Sequence, residues 1–268
     1  MTWIPDDRPL VFAHRGGSRL APENTIVAFD RAVAEGVDGL ELDVRLSKDG
    51  QVMVFHDARL DRTSNTTGAI ADMTASELAR VDAGHRFTRG DLLYPFRWRG
   101  FGVPTLAEVL ARHPHHPFIV EMKDDTRAMA EATVDAVRAA GALDRVCLGA
   151  FPTRVLQHAR RRAPDTVSSA SSAEVMSAML GSRLGVLPPR RRYQALQVPE
   201  RRRRLRVVTP RFVRVARRAG VPVQVWIVDR ADDICRLLDW GVQAIITDRP
   251  DIAVPTVAAW RRGHGGVW

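Results

Sequence analysis

The stretch GLELDVRLSKDGQVMVFHD, residues 39–57, decides the fold because it places two apolar runs on either side of a short turn. The first run, GLELDV (39–44), is typical of a buried strand. The second run, QVMVFH (51–56), follows after too few residues for a crossover helix, since parallel strands need a dozen or more residues between them. It therefore turns back as an antiparallel hairpin strand, with Asp49-Gly50 at the turn.

Outside this stretch, short apolar runs alternate with helical patterns, which is typical of β/α units around a parallel sheet. Eight runs fit parallel strands: 10–14, 39–44, 118–122, 146–151, 166–170, 195–198, 223–228 and 244–248. Helical patterns cover 24–35, 126–140, 153–163, 210–219 and 231–240, and several end in Ala-Gly or Trp-Gly, a common helix stop signal. The pattern predicts an α/β fold, a (β/α)8 TIM barrel with one added hairpin strand, and a length of 268 residues suits it.

We interpret the whole chain, 1–268, as one domain, because we find neither an internal repeat nor a low-complexity linker. Residues 57–105 form a long excursion after the second barrel strand. A segment of that length on the active-site face of a barrel favours a lid-like insertion, although a structural loop fits the sequence almost as well.

The charge is strongly basic, with a net value of +9 and only two lysines, Lys48 and Lys123, among 40 basic residues. This balance suits an anionic partner, but it does not decide among phosphate esters, nucleic acid and acidic membrane surfaces.

No run approaches the roughly 18 apolar residues of a membrane span. We find no signal-peptide pattern, and two cysteines, Cys147 and Cys235, lie among apolar residues. We therefore expect buried free thiols and a cytoplasmic location.

Three carboxylates lie at predicted strand ends, where the polar residues of a barrel meet at its C-terminal mouth. Glu41 and Asp43 point to one face of the second strand, and Glu121 ends the third. A hard divalent cation such as Mg²⁺ or Ca²⁺ would relieve their mutual repulsion, whereas nothing favours zinc. The alternative is that each acid pairs with an arginine.

Two histidines and a lysine join this group at the mouth. His14 ends the first strand and His56 ends the hairpin strand, which predicts a general base and a general acid. Lys123 follows Glu121 by two residues, and its compact ammonium suits a nearby phosphate. The sequence does not decide which histidine donates the proton and which removes it.

An ordered set of motifs resembles the glycerophosphodiester phosphodiesterase family from about residue 10 to 252. The motifs are HRGGSRLAPENTIVAF, GVDGLELDVRLSKDGQVMVFHD, LDRTSNTTG, VPTLAEVL, VEMK, VQVWIVD and GVQAIITDRPD. The resemblance implies a TIM barrel that binds one divalent metal ion, Mg²⁺ or Ca²⁺. It also implies metal-dependent hydrolysis of small glycerophosphodiesters to sn-glycerol 3-phosphate and an alcohol, through water or through a cyclic phosphate.

Site residues follow from the same matching motifs. The resemblance implies that Glu41, Asp43 and Glu121 bind the metal and that His14 and His56 are the catalytic acid–base pair. It further implies that Arg15 and Lys123 hold phosphate oxygens, that Trp226 lines the substrate pocket, and that Glu23 and Asn24 shape its rim or cap a helix. One departure occurs at Asp229, where the family often has asparagine, and it puts the rim contacts near that residue in doubt.

Two other functions compete with this one. A lysophospholipase D-like or sphingolipid phosphodiesterase would keep the site, work in peripheral contact with an anionic membrane, and need a wide apolar entrance formed by 85–103. The second competing function is that of a basic binding protein on an inactive barrel. No nucleic-acid fold signature occurs, so we expect no nucleic-acid partner.

The arginine runs at 188–193 and 201–204 are interpreted as solvated loop charge. The sequence does not indicate the oligomeric state or the head-group alcohol.

Overall fold

The structure is a computed structural model that describes residues 3–4, 8–90, 93–189 and 191–264. Residues 91 and 92 of the predicted insertion, residue 190 of the first arginine run and both ends of the predicted 1–268 domain lie outside the described residues.

Eight parallel strands form the barrel, as the sequence predicted. They are β1 (Leu10–His14), β2 (Gly39–Leu46), β4 (Phe118–Met122), β5 (Val146–Gly149), β6 (Val167–Ser168), β7 (Leu196–Pro199), β10 (Val223–Trp226) and β11 (Ala244–Thr247). Their order around the sheet is β6-β5-β4-β2-β1-β11-β10-β7. A parallel bridge between Ser169 and Ala195 joins the two outer strands, which closes the barrel.

The hairpin strand β3 (Val52–Val54) pairs antiparallel with β2, and Val44 lies opposite Val54. Gly50 at the turn has a φ of +76°, a left-handed conformation that glycine adopts without strain. The prediction of a hairpin between residues 39 and 56 is confirmed.

Nine helices are present in the described residues. They are α1 (Ile26–Ala34), α2 (Ala75–Leu78), α3 (Leu106–Arg112), α4 (Arg127–Ala139), α5 (Thr153–Arg162), α6 (Ser172–Arg183), α7 (Pro210–Arg218), α8 (Ala231–Asp239) and α9 (Pro250–Gly263). Hydroxyl N-caps begin several of them, and Thr105 and Ser171 form full capping boxes. Gly141, Gly220 and Gly241 follow helix ends with positive φ, as the stop signals predicted.

The apolar core has two layers. One layer lies between the strands and the surrounding helices, and the other fills the barrel interior with side chains such as Phe12, Ile119 and Ile246. Cys147 belongs to the interior layer and is fully buried, whereas Cys235 on α8 is only half-buried. The prediction of two buried thiols is therefore wrong for Cys235, because the outer side of α8 faces solvent.

The excursion after β3 contains α2, two short 3-10 turns (Leu60–Arg62 and Ile70–Asp72) and a small apolar cluster of its own around Leu60 and Ile70. Its role as a lid stays a prediction. The second arginine run is not a loop: β8 (Arg201–Arg202) and β9 (Leu205–Arg206) pair as an exposed antiparallel hairpin.

No helix among the described residues is both long and apolar enough to cross a bilayer.

Candidate active site

A cavity of about 170 Å³ opens at the C-terminal ends of the barrel strands. It is smaller than the roughly 300–1,000 Å³ typical of pockets for drug-sized ligands, so it suits a small molecule. Its lining mixes charged and apolar side chains. Those from the strand ends and the loops that follow include His14, Arg15, Glu41, His56, Glu121, Lys123, Phe151, Gln197, Trp226 and Ile227.

Three carboxylates lie together beside this cavity. Asp43 on β2 and Glu121 on β4 are register partners, and Glu41 lies two residues earlier on the same face of β2. Each of the three offers one oxygen, and these oxygens lie within 4.8 Å of one another. Two oxygens bound to one Ca²⁺ at about 2.3–2.6 Å can lie roughly 5 Å apart, so the group could hold one metal ion.

The charges of these three acids are compensated to different degrees within the protein. Burial and the charge of Asp43 raise the pKa of Glu41 to about 7, and burial also raises the pKa of Glu121. Burial opposes ionisation of Asp43 too, but Lys123 and Arg15 outweigh it and lower the pKa of that carboxyl. A cation beside Glu41 would favour its ionised form.

Two basic side chains hold the acids in place. Lys123 Nζ lies 2.6 Å from Glu121 Oε1 and 2.8 Å from Asp43 Oδ1. Arg15 Nε lies 3.0 Å from Asp43 Oδ2, and the Arg15 backbone N–H donates to Glu41 Oε2 at 3.0 Å. The alternative of arginine pairing is thus met for Asp43. Glu121 pairs with Lys123 instead, and Arg15 reaches Glu41 through its backbone N–H.

Asn24 orients Asp43 from the loop before α1. Its Nδ2 donates to Asp43 Oδ2 at 2.9 Å, and its Oδ1 accepts from the Asp43 backbone N–H at 3.3 Å. Asn24 is buried and has a φ of +58°, a conformation that asparagine tolerates better than most residues. The helix-cap interpretation is wrong, because Thr25 is the N-cap of α1.

His14 is held by a carboxylate from the far end of the chain. Its Nδ1 lies 2.7 Å from Asp248 Oδ1, which leaves Nε2 on the side of Glu41, 3.9 Å from Oε2. Burial lowers the pKa of His14, but Glu41 and Asp248 outweigh it, so the pKa lies above its usual 6.5. Asp229 accepts from the Asp248 backbone N–H at 2.9 Å and thus supports this partner; it is not part of the cavity wall.

His56 is held in the same way, by the carboxylate that follows it in the chain. Its Nδ1 lies 2.5 Å from Asp57 Oδ1, and Arg62 Nε donates to Asp57 Oδ2 at 2.6 Å. The two other nitrogens of Arg62 donate to Glu23 at 2.7 and 2.6 Å, and Glu23 accepts from Arg15 at 2.9 Å. Burial lowers the pKa of His56, while hydrogen bonds from Arg62 and His56 overcome burial and lower the pKa of Asp57 to about 2.

Trp226 ends β10 and packs edge-to-face against Phe151, with ring centroids 6.0 Å apart. Its peptide bond to Ile227 is cis. Phe151 and Ile227 are 46% and 43% exposed, so they form an apolar part of the rim. None of the lining residues found in the described part of the chain comes from 85–103. Residues 83 and 86–90 border a separate groove beside Glu23 and Arg62.

The structure thus brings together the side chains that the sequence singled out: His14, Arg15, Glu41, Asp43, His56, Glu121, Lys123 and Trp226. Sequence reasoning missed the residues that position them, namely Asp248, Asp57 and Arg62. The sequence did carry a signal for two of them: Asp248 ends the predicted barrel strand 244–248, and Asp57 directly follows the predicted hairpin strand 51–56.

Comparison with known sequences gives one consistent result. The sequence model of the Glycerophosphoryl diester phosphodiesterase family matches residues 14–252. A Glycerophosphodiester phosphodiesterase from Caldanaerobacter subterraneus subsp. tengcongensis is 31% identical over 255 residues, covering 93% of this chain and 98% of the relative. One from Bacillus subtilis is 30% identical over 263 residues, covering 93% and 86%.

Solved structures share the barrel. The crystal structure of a glycerophosphodiester phosphodiesterase from Agrobacterium tumefaciens matches with a TM-score of 0.76 at 28% identity, covering 92% of this chain and 99% of that one. An Oleispira antarctica phosphodiesterase, solved in complex with its product sn-glycerol-3-phosphate, matches with a TM-score of 0.76 at 22% identity, covering 94% and 97%. At that lower identity the likeness shows the common fold.

Proposed function

The chain belongs to the glycerophosphoryl diester phosphodiesterase family, a family of hydrolases, and we propose that its barrel hydrolyses small glycerophosphodiesters to sn-glycerol 3-phosphate and an alcohol. The observation that carries the proposal is the placement of two carboxylate-bound histidines and three clustered acids around one small cavity. A cavity of about 170 Å³ suits a substrate of this size.

Glu41, Asp43 and Glu121 are the residues that would hold one divalent metal ion, Mg²⁺ or Ca²⁺, because they offer only oxygen ligands. When bound, such an ion supplies positive charge to the phosphoryl oxygens and so stabilises the transition state. Arg15 and Lys123, at the edge of the same group, add fixed positive charge toward those oxygens.

His14 and His56 are proposed to move the protons. In each ring Nδ1 is bound by a carboxylate, of Asp248 or of Asp57, so Nε2 is the atom left to exchange a proton with substrate. The pKa of His14 is raised and that of His56 is lowered, which favours a protonated His14 as general acid and a neutral His56 as general base. His56 then removes a proton from the attacking hydroxyl or water, and His14 protonates the departing alkoxide.

Arg62 is proposed to position His56 and Arg15. It donates to Asp57 behind His56 and to Glu23 behind Arg15, so one guanidinium joins the general base to a phosphate-binding residue. Trp226, with Phe151, forms the apolar wall against which the glycerol or head group packs.

The first experiment follows sn-glycerol 3-phosphate release from glycerophosphocholine and glycerophosphoethanolamine, with and without EDTA. We expect release that EDTA abolishes, that added Mg²⁺ or Ca²⁺ restores and that Glu41→Gln eliminates. Glu131→Gln is the matched control, because it makes the same chemical change on the exposed outer face of α4. Full activity in EDTA-treated enzyme, or in Glu41→Gln, would refute the metal site.

The histidines are tested by kcat for His14→Ala and His56→Ala. General acid–base catalysis contributes about 10²- to 10⁴-fold, so we expect losses in that range. A loss below about tenfold in either variant removes that histidine from the proposed role.

A lysophospholipase D-like activity is a second candidate, favoured by one observation: Phe151 and Ile227 leave an exposed apolar rim that an acyl chain could cross. The wide entrance expected from residues 85–103 does not border the cavity in the described residues. Comparing kcat/KM for lysophosphatidylcholine and glycerophosphocholine separates the two. A higher value for the lysolipid would support this second function.

A further inference from the structure

The short hairpin after β7, residues 201–206, lies at the same end of the barrel as the catalytic cavity. We call these residues the arginine hairpin. The hairpin leaves the C-terminal end of β7, and Pro199 in that strand is the register partner of Trp226, which lines the cavity. Because all βα-connections of a barrel emerge at this end, the arginine hairpin flanks the opening.

The base of the arginine hairpin is fixed to the barrel. Glu200 accepts two hydrogen bonds from Arg236 of α8, at 3.0 and 2.9 Å, and its carbonyl accepts from the Val207 N–H at 3.0 Å. Arg206 lies over the ring of Trp240, 5.7 Å from its centroid. These contacts therefore fix the base of the arginine hairpin to the barrel.

The tip carries uncompensated positive charge. Arg201 to Arg204 are exposed, and no ion pair found in the described ranges reaches any of these four side chains. Arg201 lies directly opposite Arg206 in the register, an arrangement that is destabilising for like charges. Arg203 has a φ of +54°, a left-handed conformation that is strained for a residue other than glycine.

Apolar side chains accompany these charges at the same end. Leu205, within the hairpin, is 38% exposed, and Phe151 and Ile227 are exposed at the cavity rim. Arginines beside exposed aliphatic and aromatic groups match an anionic bilayer surface, where guanidinium groups meet phosphates and apolar groups enter the interface. Nucleic acid fits less well, because no exposed aromatic ring alternates with these arginines.

We propose that the arginine hairpin docks the open end of the barrel onto a membrane surface rich in anionic phospholipids. The proposal concerns binding alone and stands whether or not the proposed hydrolysis is correct. Near a membrane surface one basic residue contributes about 1 kcal/mol, so each neutralised arginine lowers vesicle affinity about fivefold.

The test is cosedimentation of the full chain with phosphatidylcholine vesicles, with and without about a third of phosphatidylglycerol. We expect binding only to the anionic vesicles, weakened by added salt because the interaction is between surface charges. The variant Arg202→Gln/Arg204→Gln should bind about 25-fold more weakly, at an unchanged Tm and with unchanged hydrolysis of soluble glycerophosphocholine.

The matched control is Arg161→Gln/Arg218→Gln. It removes the same charge from the C-terminal ends of α5 and α7, which lie at the opposite end of the barrel. We expect less than a twofold change in affinity. Equal weakening by the two variants, or no preference for anionic vesicles, would overturn the proposal. Tighter hairpin-dependent binding to a 20-nucleotide DNA than to anionic vesicles would replace it with a nucleic-acid partner.

Discussion

Replacing Asp248 by asparagine tests how the first histidine is tuned. The substitution keeps the shape of the side chain but removes the charge that lies 2.7 Å from His14 Nδ1. Burial opposes ionisation of Asp248, yet the hydrogen bond with His14 and the charge of that ring, with Ser18 and Arg15, together outweigh burial and lower the pKa of the carboxyl. Asp248 is therefore ionised near neutral pH. The variant therefore changes one charge next to a buried ring.

The size of the effect follows from the hydrogen bond. A bond with a charged partner contributes about 1.5–3 kcal/mol and a neutral one about 0.5–1.5 kcal/mol, so the loss is about 1–1.5 kcal/mol. At 1.36 kcal/mol per unit this lowers the pKa of His14 by roughly one unit. The pKa of His14, which lies above 6.5 in the native protein, should fall by that amount in the variant.

The sign of the stability effect follows from the same shift. Because the folded pKa of His14 is raised, its contribution is fully present below the unfolded value of 6.5 and is lost as pH rises through the folded pKa. The unfolding free energy of Asp248→Asn should therefore be about 1 kcal/mol below the native value near pH 5.5. We expect this difference to shrink as the pH rises.

The assay is an NMR titration of the His14 ring in EDTA-treated protein, assigned by comparison with His14→Gln. Asp251→Asn is the control, since Asp251 is three residues away and pairs with Arg249. We expect that control to leave the His14 pKa within about 0.3 units. If Asp248→Asn changes the pKa of His14 no more than the control does, our account of its tuning is wrong.

Three further predictions concern the site and its support. Asn24→Ala should lower the unfolding free energy by about 2–4 kcal/mol in urea denaturation, since it removes a hydrogen bond to buried Asp43 and places alanine at positive φ. Mg²⁺ or Ca²⁺ at 100 times its Kd should stabilise the protein by about 2.7 kcal/mol, and Glu41→Gln should largely abolish this in thermal denaturation. Gly39→Ala should cost about 1–3 kcal/mol, because its Cβ would lie 2.3 Å from the Phe12 ring.

Each of these has a result that contradicts it. Asn24→Gly should recover about 1 kcal/mol relative to Asn24→Ala, and equal stability of the two would show that the backbone conformation does not matter. An equal rise in Tm with metal for Glu41→Gln and the native protein would place the ion elsewhere. A Gly39→Ala variant as stable as the native protein would mean that Phe12 can move aside.

The sequence by itself determined the barrel, because strand and helix periodicity are local properties. The eight apolar runs became the eight parallel strands, and the short spacing between GLELDV and QVMVFH required the hairpin. It also predicted Glu41, Asp43 and Glu121 as a group, because strand-end residues of a barrel meet at one end. The strand edges were less well determined, and β6 covers only Val167–Ser168 of the predicted 166–170.

Only the tertiary structure decided which groups hold the proposed catalytic residues. Asp248 meets His14 across 234 positions of sequence, and Arg62 meets Glu23 across 39. These contacts arise when β11 closes beside β1 and the inserted segment returns to the loop before α1. No periodicity encodes such pairings, since closure of the barrel and the path of the inserted segment set the distance between side chains that lie far apart in the chain.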